Sequence, residues 1–434
     1  MKENKISYTS PNELSVLKTR AESLGLPSPT SANLYQLGQS LIESRSPRLD
    51  PLQKLFKQVK ETRKRQAQWR SQEKQEFVNI FNNSEKLDIY NVSKIYTSLK
   101  ERKAIYGGKV FNFATPKNPN ESIPPIKLPK NLSNIIWKMA EYTDRPFPQG
   151  LPMARIDAIR QPDNTIKIIE INPCWVDNIG ALQAFYETYK TPVSEKPVDI
   201  LANQIILRRP KNRNIALLYC SQAAGCAVQE IYSLADYLES TGQFNNIDVS
   251  RMDQNFDLSP FGTIYINGSF SMNEPYSNGE IVEKEIIKLQ SEQKTLLVPT
   301  QFKAFDSKES LIGMSQTNPN LFLRTTKNRQ EVEGQAIAKP YLSESLKGIV
   351  MLDEKQIINT SEEYIYQPII TYSPEIPLIC VDSQKKTISN PKKLYEKINI
   401  WLIGNKIAGT MATYNTTPMI NDAGYNLPIS WQEI

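Results

Sequence analysis

Apolar and polar positions alternate over residues 153–160 and again over 165–173, with Gln161-Pro162-Asp163-Asn164 between them. β-branched residues in the runs and turn formers in the gap predict an antiparallel hairpin. Asp163-Asn164 suits a two-residue turn that accepts positive φ. Folding about it sets Asp157 opposite Glu170 and Arg155 opposite Asn172. Side chains two apart share a strand face, so these four polar groups gather on one face.

The pattern changes on either side of the hairpin. Residues 1 to about 150 read mainly helical, with Leu52, Leu55, Phe56 and Val59 at helical spacing within 51–80. Residues 106–129, rich in Pro, Asn and Lys, read as a loop. Beyond the hairpin, 177–191 predicts a helix over the sheet, and 192–214 a connector with the basic turn Arg208-Arg209-Pro210-Lys211. Strands over 215–220, 247–252 and 263–267, with a helix over 228–241, predict a small parallel sheet. Its first turn, Ser221-Gln222-Ala223-Ala224-Gly225, lacks the glycine spacing of a dinucleotide fingerprint. From about Leu296 the pattern is α+β: a short helix over 308–314, then strands over 335–340, 348–352, 364–370, 378–381, 398–403 and 406–413. The expected divisions are 1–148, largely helical; 149–200, the hairpin and its helix; 201–295, the α/β segment; and 296–434. There is no internal repeat.

Composition narrows the chemistry. At 434 residues and 39% apolar content, the chain can build two or three ordinary cores. The first ten residues lack an apolar signal core, and no run approaches a membrane span. Cys174, Cys220, Cys226 and Cys380 have no metal-type spacing. A reduced, cytoplasmic setting away from membranes is expected. There is no histidine, which excludes Ser-His-Asp and Cys-His mechanisms and His-ligated zinc. Carboxylates, lysines, arginines and a metal suit phosphoryl transfer. A net charge of +6 suits an anionic substrate such as ATP and is weak support for nucleic acid. Lys54, Lys57, Lys60, Arg63, Lys64, Arg65, Arg70 and Lys74 read as a solvated helix face rather than an RNA-binding arm.

Two carboxylates directly opposed on a strand face repel, so Asp157 and Glu170 predict a cation between them. Neutralising one should then steady the metal-free protein. Oxygen ligands suit Mg²⁺, and the hairpin reads as a magnesium–nucleotide platform. Lys339 lies in Ala336-Ile337-Ala338-Lys339-Pro340, where Pro340 lacks a donor and ends the strand. The next loop carries Ser343, Ser345 and Lys347 and closes at Gly348. Such a loop can fold its amides over phosphates, with Lys339 aiming its charge at them. Ser307-Lys308 opens a helix whose amides favour anions. Tyr366, Gln367 and Ile369 lie on a strand whose free edge would read an adenine. The alternative there is a core strand with Gln367 in solvent.

In this order the anchors resemble the circularly permuted ATP-grasp ligases, most closely the synthetase domain of glutathionylspermidine synthase. They are Arg155-Ile156-Asp157, Glu170-Ile171-Asn172, Ser307-Lys308 and Lys339-Pro340, followed by Trp401-Leu402-Ile403-Gly404-Asn405-Lys406-Ile407-Ala408-Gly409 and by Met419-Ile420-Asn421 with Leu427-Pro428. The resemblance spans residues 149–431. It implies an α+β fold of the circularly permuted ATP-grasp kind, with a helical N-terminal region and a small pre-grasp α/β domain. It also implies an ATP-dependent carboxylate–amine ligase that makes an amide or peptide bond through an acyl phosphate. The cofactors would be ATP and Mg²⁺, and the partners a small-molecule or peptide acid and an amine. By the same resemblance Asp157, Glu170 and Asn172 would bind Mg²⁺, Lys308 and Lys339 the ATP phosphates, and Arg155 the acyl phosphate and tetrahedral intermediate. Two features depart from the family. Loop 342–348 is poor in glycine and carries Glu344, and Thr410-Met411-Ala412-Thr413 stands where an arginine is expected after Ala408-Gly409. The acid and amine stay open, a homodimer is compatible with the sequence, and a catalytically inactive grasp-fold nucleotide-binding scaffold is the alternative.

Overall fold

The computed structural model describes residues 89–106, 109–143, 152–172, 179–219, 225–251, 259–267, 295–297, 308–341, 349–354, 356, 358, 363–383, 385, 387–418 and 424–434. The chain divides into residues 1–83 and 84–434, and all of these lie in the second unit. The basic stretch within 51–80 lies outside the described residues.

Helix α1 (Ile89–Glu101) leads to the antiparallel pair β1 (Ile105–Tyr106) and β2 (Lys109–Val110), then to β3 (Phe113–Pro116) and β4 (Ile126–Leu128). The expected loop over 106–129 thus holds β2, β3 and β4. Phe113, Ala114 and Thr115 are buried, and burial inside a sheet overrides the local Pro and Asn content. Next come α2 (Leu132–Thr143) and the hairpin β5 (Met153–Arg160) and β6 (Ile166–Asn172). Two helices follow, α3 (Ile179–Tyr189) and α4 (Pro197–Leu207). The second corrects the expected connector over 192–214. Val198, Ile200, Leu201 and Ile205 bury one side of it, and Pro197 sits in the first turn, where its fixed φ suits a helix start.

Strands β7 (Asn214–Tyr219), β8 (Asn246–Arg251), β9 (Thr263–Asn267) and β10 (Thr295–Leu297) form an all-parallel sheet in the order β10-β9-β7-β8, with α5 (Gly225–Thr241) between β7 and β8. Helix α6 (Ser310–Thr317) precedes the antiparallel sheet of β11 (Ala336–Pro340), β12 (Val350–Leu352) and β13 (Tyr364–Pro368). The remaining strands are β14 (Leu378–Asp382), β15 (Thr387–Ser389), β16 (Tyr395–Ile403), β17 (Lys406–Asn415), β18 (Tyr425–Pro428) and β19 (Trp431–Glu433). The last pairs in parallel with β4.

The eight-stranded sheet runs β15-β14-β3-β18-β17-β16-β5-β6. It is mixed, because β3 and β18 pair in parallel while its other neighbours are antiparallel. One face carries the core: Ala154, Ile156, Ala158, Ile398, Ile400, Leu402 and Ala412 pack with Leu132, Ile136 and Phe322. The alternate positions Arg155, Asp157, Lys397, Asn399 and Thr413 are polar and also buried. Helix α3 lies against β17: Tyr186 Oη donates to the Thr410 carbonyl at 2.8 Å and accepts from its amide at 2.6 Å. A Cβ at Gly409 would fall 2.7 Å from both Leu182 Cδ2 and Tyr186 Cε2, so this seat requires glycine. Among the described residues, no helix is long and apolar enough to cross a membrane.

Candidate functional site

The site begins with the register of β5 on β6. Gln161 O accepts from the Asn164 amide at 2.9 Å, and the Gln161 amide donates to Thr165 O at 2.8 Å. Asp163 Oδ1 accepts from the Thr165 amide and hydroxyl, which fastens the turn. Asn164 takes a φ of 67°, and Asp163 does not share the positive φ. The turn is thus a three-residue loop with a left-handed third residue, rather than the two-residue turn expected. Pairing runs Arg160↔Ile166, Ile159↔Lys167 and Ala158↔Ile168, then skips Ile169. That bulge restores the lost residue of register, so Asp157 does face Glu170 and Arg155 does face Asn172.

The two carboxylates do not face each other bare. Arg155 Nε donates to Asp157 Oδ1 at 3.1 Å, and Lys397 Nζ lies 2.8 Å from Asp157 Oδ2. Lys308 Nζ lies 3.3 Å from Glu170 Oε1 and Lys339 Nζ 3.5 Å from Glu170 Oε2. Among the described residues, four cations thus meet these two anions. Burial alone would raise the Glu170 pKa, but the Lys339, Lys308 and Lys397 ammoniums hold it down at about 2. Lys339 is pulled below the usual lysine range by burial, against Glu170 and with Lys308. Clustered buried ammonium groups favour anions beside them.

Lys308 precedes α6 rather than opening it, and its amide donates to Tyr341 O at 3.0 Å. Lys339 also donates to Ile169 O at 3.3 Å, so the bulged residue supplies a carbonyl to the cluster. Gln367 is not in solvent. Its Nε2 donates to Ile169 O at 3.2 Å and Thr325 Oγ1 at 3.0 Å. The edge expected to be free at Tyr366 is closed, because its amide and carbonyl both pair with Thr326, and the Ile369 amide donates to Gln335 O. Ser307, Ser343, Ser345 and Gly348 lie outside the described residues. Lys397 is the member that sequence reading missed. Its signal was the alternation Lys397-Ile398-Asn399-Ile400, which extends the expected strand upstream of residue 398.

Among the described residues, no group of three Asp, Glu, Cys or His could hold a metal alone. Mg²⁺ asks for less: one or two carboxylates, with phosphate oxygens completing its shell. Asp157, Glu170 and Asn172 are oxygen donors of that kind. The Asn172 amide nitrogen is a buried donor without a hydrogen-bond partner, which a phosphate oxygen, not a cation, would answer. The residues fit Mg²⁺ accompanied by a phosphate ligand.

The opposite face of the same strands carries a second charged group. Arg160 Nε and Nη2 donate to Glu396 Oε2 and Oε1 at 2.7 and 3.3 Å. Tyr414 Oη donates to Glu396 Oε1 at 2.8 Å, and Arg160 Nη1 reaches Pro124 O at 2.7 Å and Asn164 Oδ1 at 3.1 Å. Both members of the pair are fully enclosed. It joins the hairpin turn to β16 inside the core.

The fold has a counterpart among solved structures. It is similar to the solved structure of a glutathione synthetase-like effector from Globodera pallida, with a TM-score of 0.51 over 82% of this chain and 99% of that one, at 10% identity. A protein described as a gamma-glutamylcysteine synthetase from Methylobacillus flagellatus KT is matched at 10% identity over 69% of this chain and 84% of that one, and its TM-score of 0.30 carries no argument. No protein-family model and no curated protein sequence matches the chain. Similarity at this level of identity concerns the fold alone.

Proposed function

We propose that the protein is an ATP-dependent carboxylate–amine ligase of the circularly permuted ATP-grasp kind. The observation that carries this reading is the cluster of four buried cations on the Asp157–Glu170 pair. A triphosphate needs such charge, and ligation through an acyl phosphate needs no histidine. Residues 149–200 and 296–434 would form the grasp and 201–295 the pre-grasp segment.

In this proposal Lys308 and Lys339 leave Glu170 for the phosphates, with loop 342–348 folding over them. Asp157, Glu170 and Asn172 would hold Mg²⁺, which when bound neutralises phosphate charge. A substrate carboxylate takes the terminal phosphoryl group of ATP and releases ADP. An amine then displaces phosphate, losing a proton as the amide forms. Arg155 grips two oxygens at once and meets the developing charge on the acyl group.

The test is an ADP-release screen over amino acids, short peptides and polyamines, with mass spectrometry of the products. The expected product is one acid joined to one amine with loss of water. Nucleotide binding without any product would instead favour the scaffold. In the active pair, Arg155→Ala should slow product formation at saturating ATP by about a hundredfold to a thousandfold, while ATP affinity changes far less. A fall in affinity without a fall in saturated rate would make Arg155 a nucleotide ligand.

A further inference from the structure

Two side chains of the three-stranded sheet converge on one carbonyl of the hairpin. Ile169 is the residue that β6 leaves unpaired against β5, so its carbonyl is not spent on that ladder. It accepts instead from Lys339 Nζ at 3.3 Å and from Gln367 Nε2 at 3.2 Å. A carbonyl oxygen has two lone pairs, and these two donors fill them. Both arrive from one face of the sheet. Gln367 on β13 pairs with Ile337 on β11, and Lys339 lies two residues along β11 from Ile337.

The Gln367 amide can stand only one way. A carbonyl only accepts, so the nitrogen and not the oxygen must face Ile169 O. Its second N–H goes to Thr325 Oγ1 at 3.0 Å, and that hydroxyl gives its own proton to Leu323 O at 3.0 Å. The same segment holds the residue before the bulge. The Ile168 amide donates to Leu321 O at 2.8 Å, and the Leu323 amide donates to Ile168 O at 2.9 Å. Gln367 is buried, and fixed partners take both of its N–H groups. It thereby holds the carbonyl to which Lys339 is bonded. An ammonium on a flexible four-carbon stem takes its place from the groups it bonds. For Lys339 those are Glu170 Oε2 at 3.5 Å and Ile169 O.

We propose that Gln367 is a positioning residue for Lys339, acting through the Ile169 carbonyl rather than by contact with a nucleotide. This role rests on the nucleotide reading of Lys339. When Lys339 turns from Glu170 to a phosphate, the Ile169 carbonyl is the tie that remains. The side chain at 367 must donate there and carry no charge. A carboxylate in its place would set oxygen against oxygen at Ile169 and give Lys339 a second anion to stay with.

The test is calorimetric binding of ATP and of inorganic triphosphate, each with Mg²⁺. The proteins are wild type, Gln367→Met, Lys339→Ala and the double variant. Methionine is close in shape and has no N–H to donate. Gln367→Met is expected to weaken both ligands by the same factor, about threefold to tenfold, the worth of one neutral hydrogen bond. On the Lys339→Ala background it should change nothing further, because its route to the phosphates is gone. A role in stability alone would not show that dependence on Lys339. Gln367→Glu should weaken ATP more than Gln367→Met does. Thr325→Val covers the case where Gln367→Met does not fold. It removes the second tie and should give a smaller loss, again absent on the Lys339→Ala background. Losses that add in the double variant, a loss confined to ATP, or unchanged ATP binding in Gln367→Met overturn the proposal. In each of those outcomes the wild type still binds ATP. A wild type that binds neither ligand ends the nucleotide reading, and this role with it.

Discussion

Glu170 sits between two ammonium groups, Lys308 at 3.3 Å and Lys339 at 3.5 Å, and these decide what replacing it does. Glu170→Gln removes the carboxylate that both buried lysines meet. It should destabilise the ligand-free protein by about 3–5 kcal/mol, as breaking a buried pair does. The facing carboxylates taken alone give the opposite sign, and the lysines reverse it. The pH dependence has a definite direction. The Glu170 pKa is lowered from 4.5 to about 2 by its neighbours, so its contribution is complete above about pH 4.5 and fades as pH falls toward 2. Urea unfolding of wild type and variant at pH 7 and pH 3.5 checks both claims: the gap should be wide at pH 7 and narrower at pH 3.5. A variant more stable than wild type at pH 7 would mean that carboxylate repulsion, not lysine pairing, governs the site.

The hairpin element depends on one left-handed residue. Asn164 holds a φ of 67° and also accepts from Arg160 Nη1 at 3.1 Å. Asn164→Val should destabilise by about 1–3 kcal/mol, because a β-branched residue resists that conformation. Asn164→Gly should lose less, keeping the turn and forfeiting only the side-chain contact. Thermal unfolding separates the two, and equal losses would place the importance of Asn164 in its side chain rather than its backbone. Much of this element was legible in the chain. The alternation around Pro162 gave the strands, and facing polar groups gave the pairs Asp157–Glu170 and Arg155–Asn172. The turn type was not legible, because two errors cancelled: a longer loop and a bulge at Ile169 produce the same pairs. Strand β3 and helix α4 were hidden for another reason. Both are short and flanked by Pro, Asn or Arg, and tertiary burial rather than local preference makes them regular. Lys397 escaped because its partner Asp157 lies 240 residues away, a contact that no local pattern carries.

At the scale of the whole molecule, one sheet separates two charged systems with different tasks. The Arg160–Glu396 pair is fully enclosed on the core face, while Arg155, Lys308, Lys339 and Lys397 gather on the other side. Arg160→Ala should therefore cost about 3–5 kcal/mol in urea unfolding, through the stranded Glu396, and leave ATP affinity nearly unchanged in the folded protein. A large loss of affinity in a well-folded variant would join the two systems. The central proposal is that Lys308 and Lys339 receive a nucleotide and that Mg²⁺ comes only with it. Its most direct test is calorimetric titration with Mg²⁺ alone, ATP alone and both together, in wild type, Lys308→Ala and Lys339→Ala. The account predicts no binding of Mg²⁺ alone, binding of ATP strengthened by Mg²⁺, and a weakening of about tenfold to a hundredfold in each lysine variant. Tight binding of Mg²⁺ without nucleotide, or ATP affinity unchanged in both variants, would contradict it.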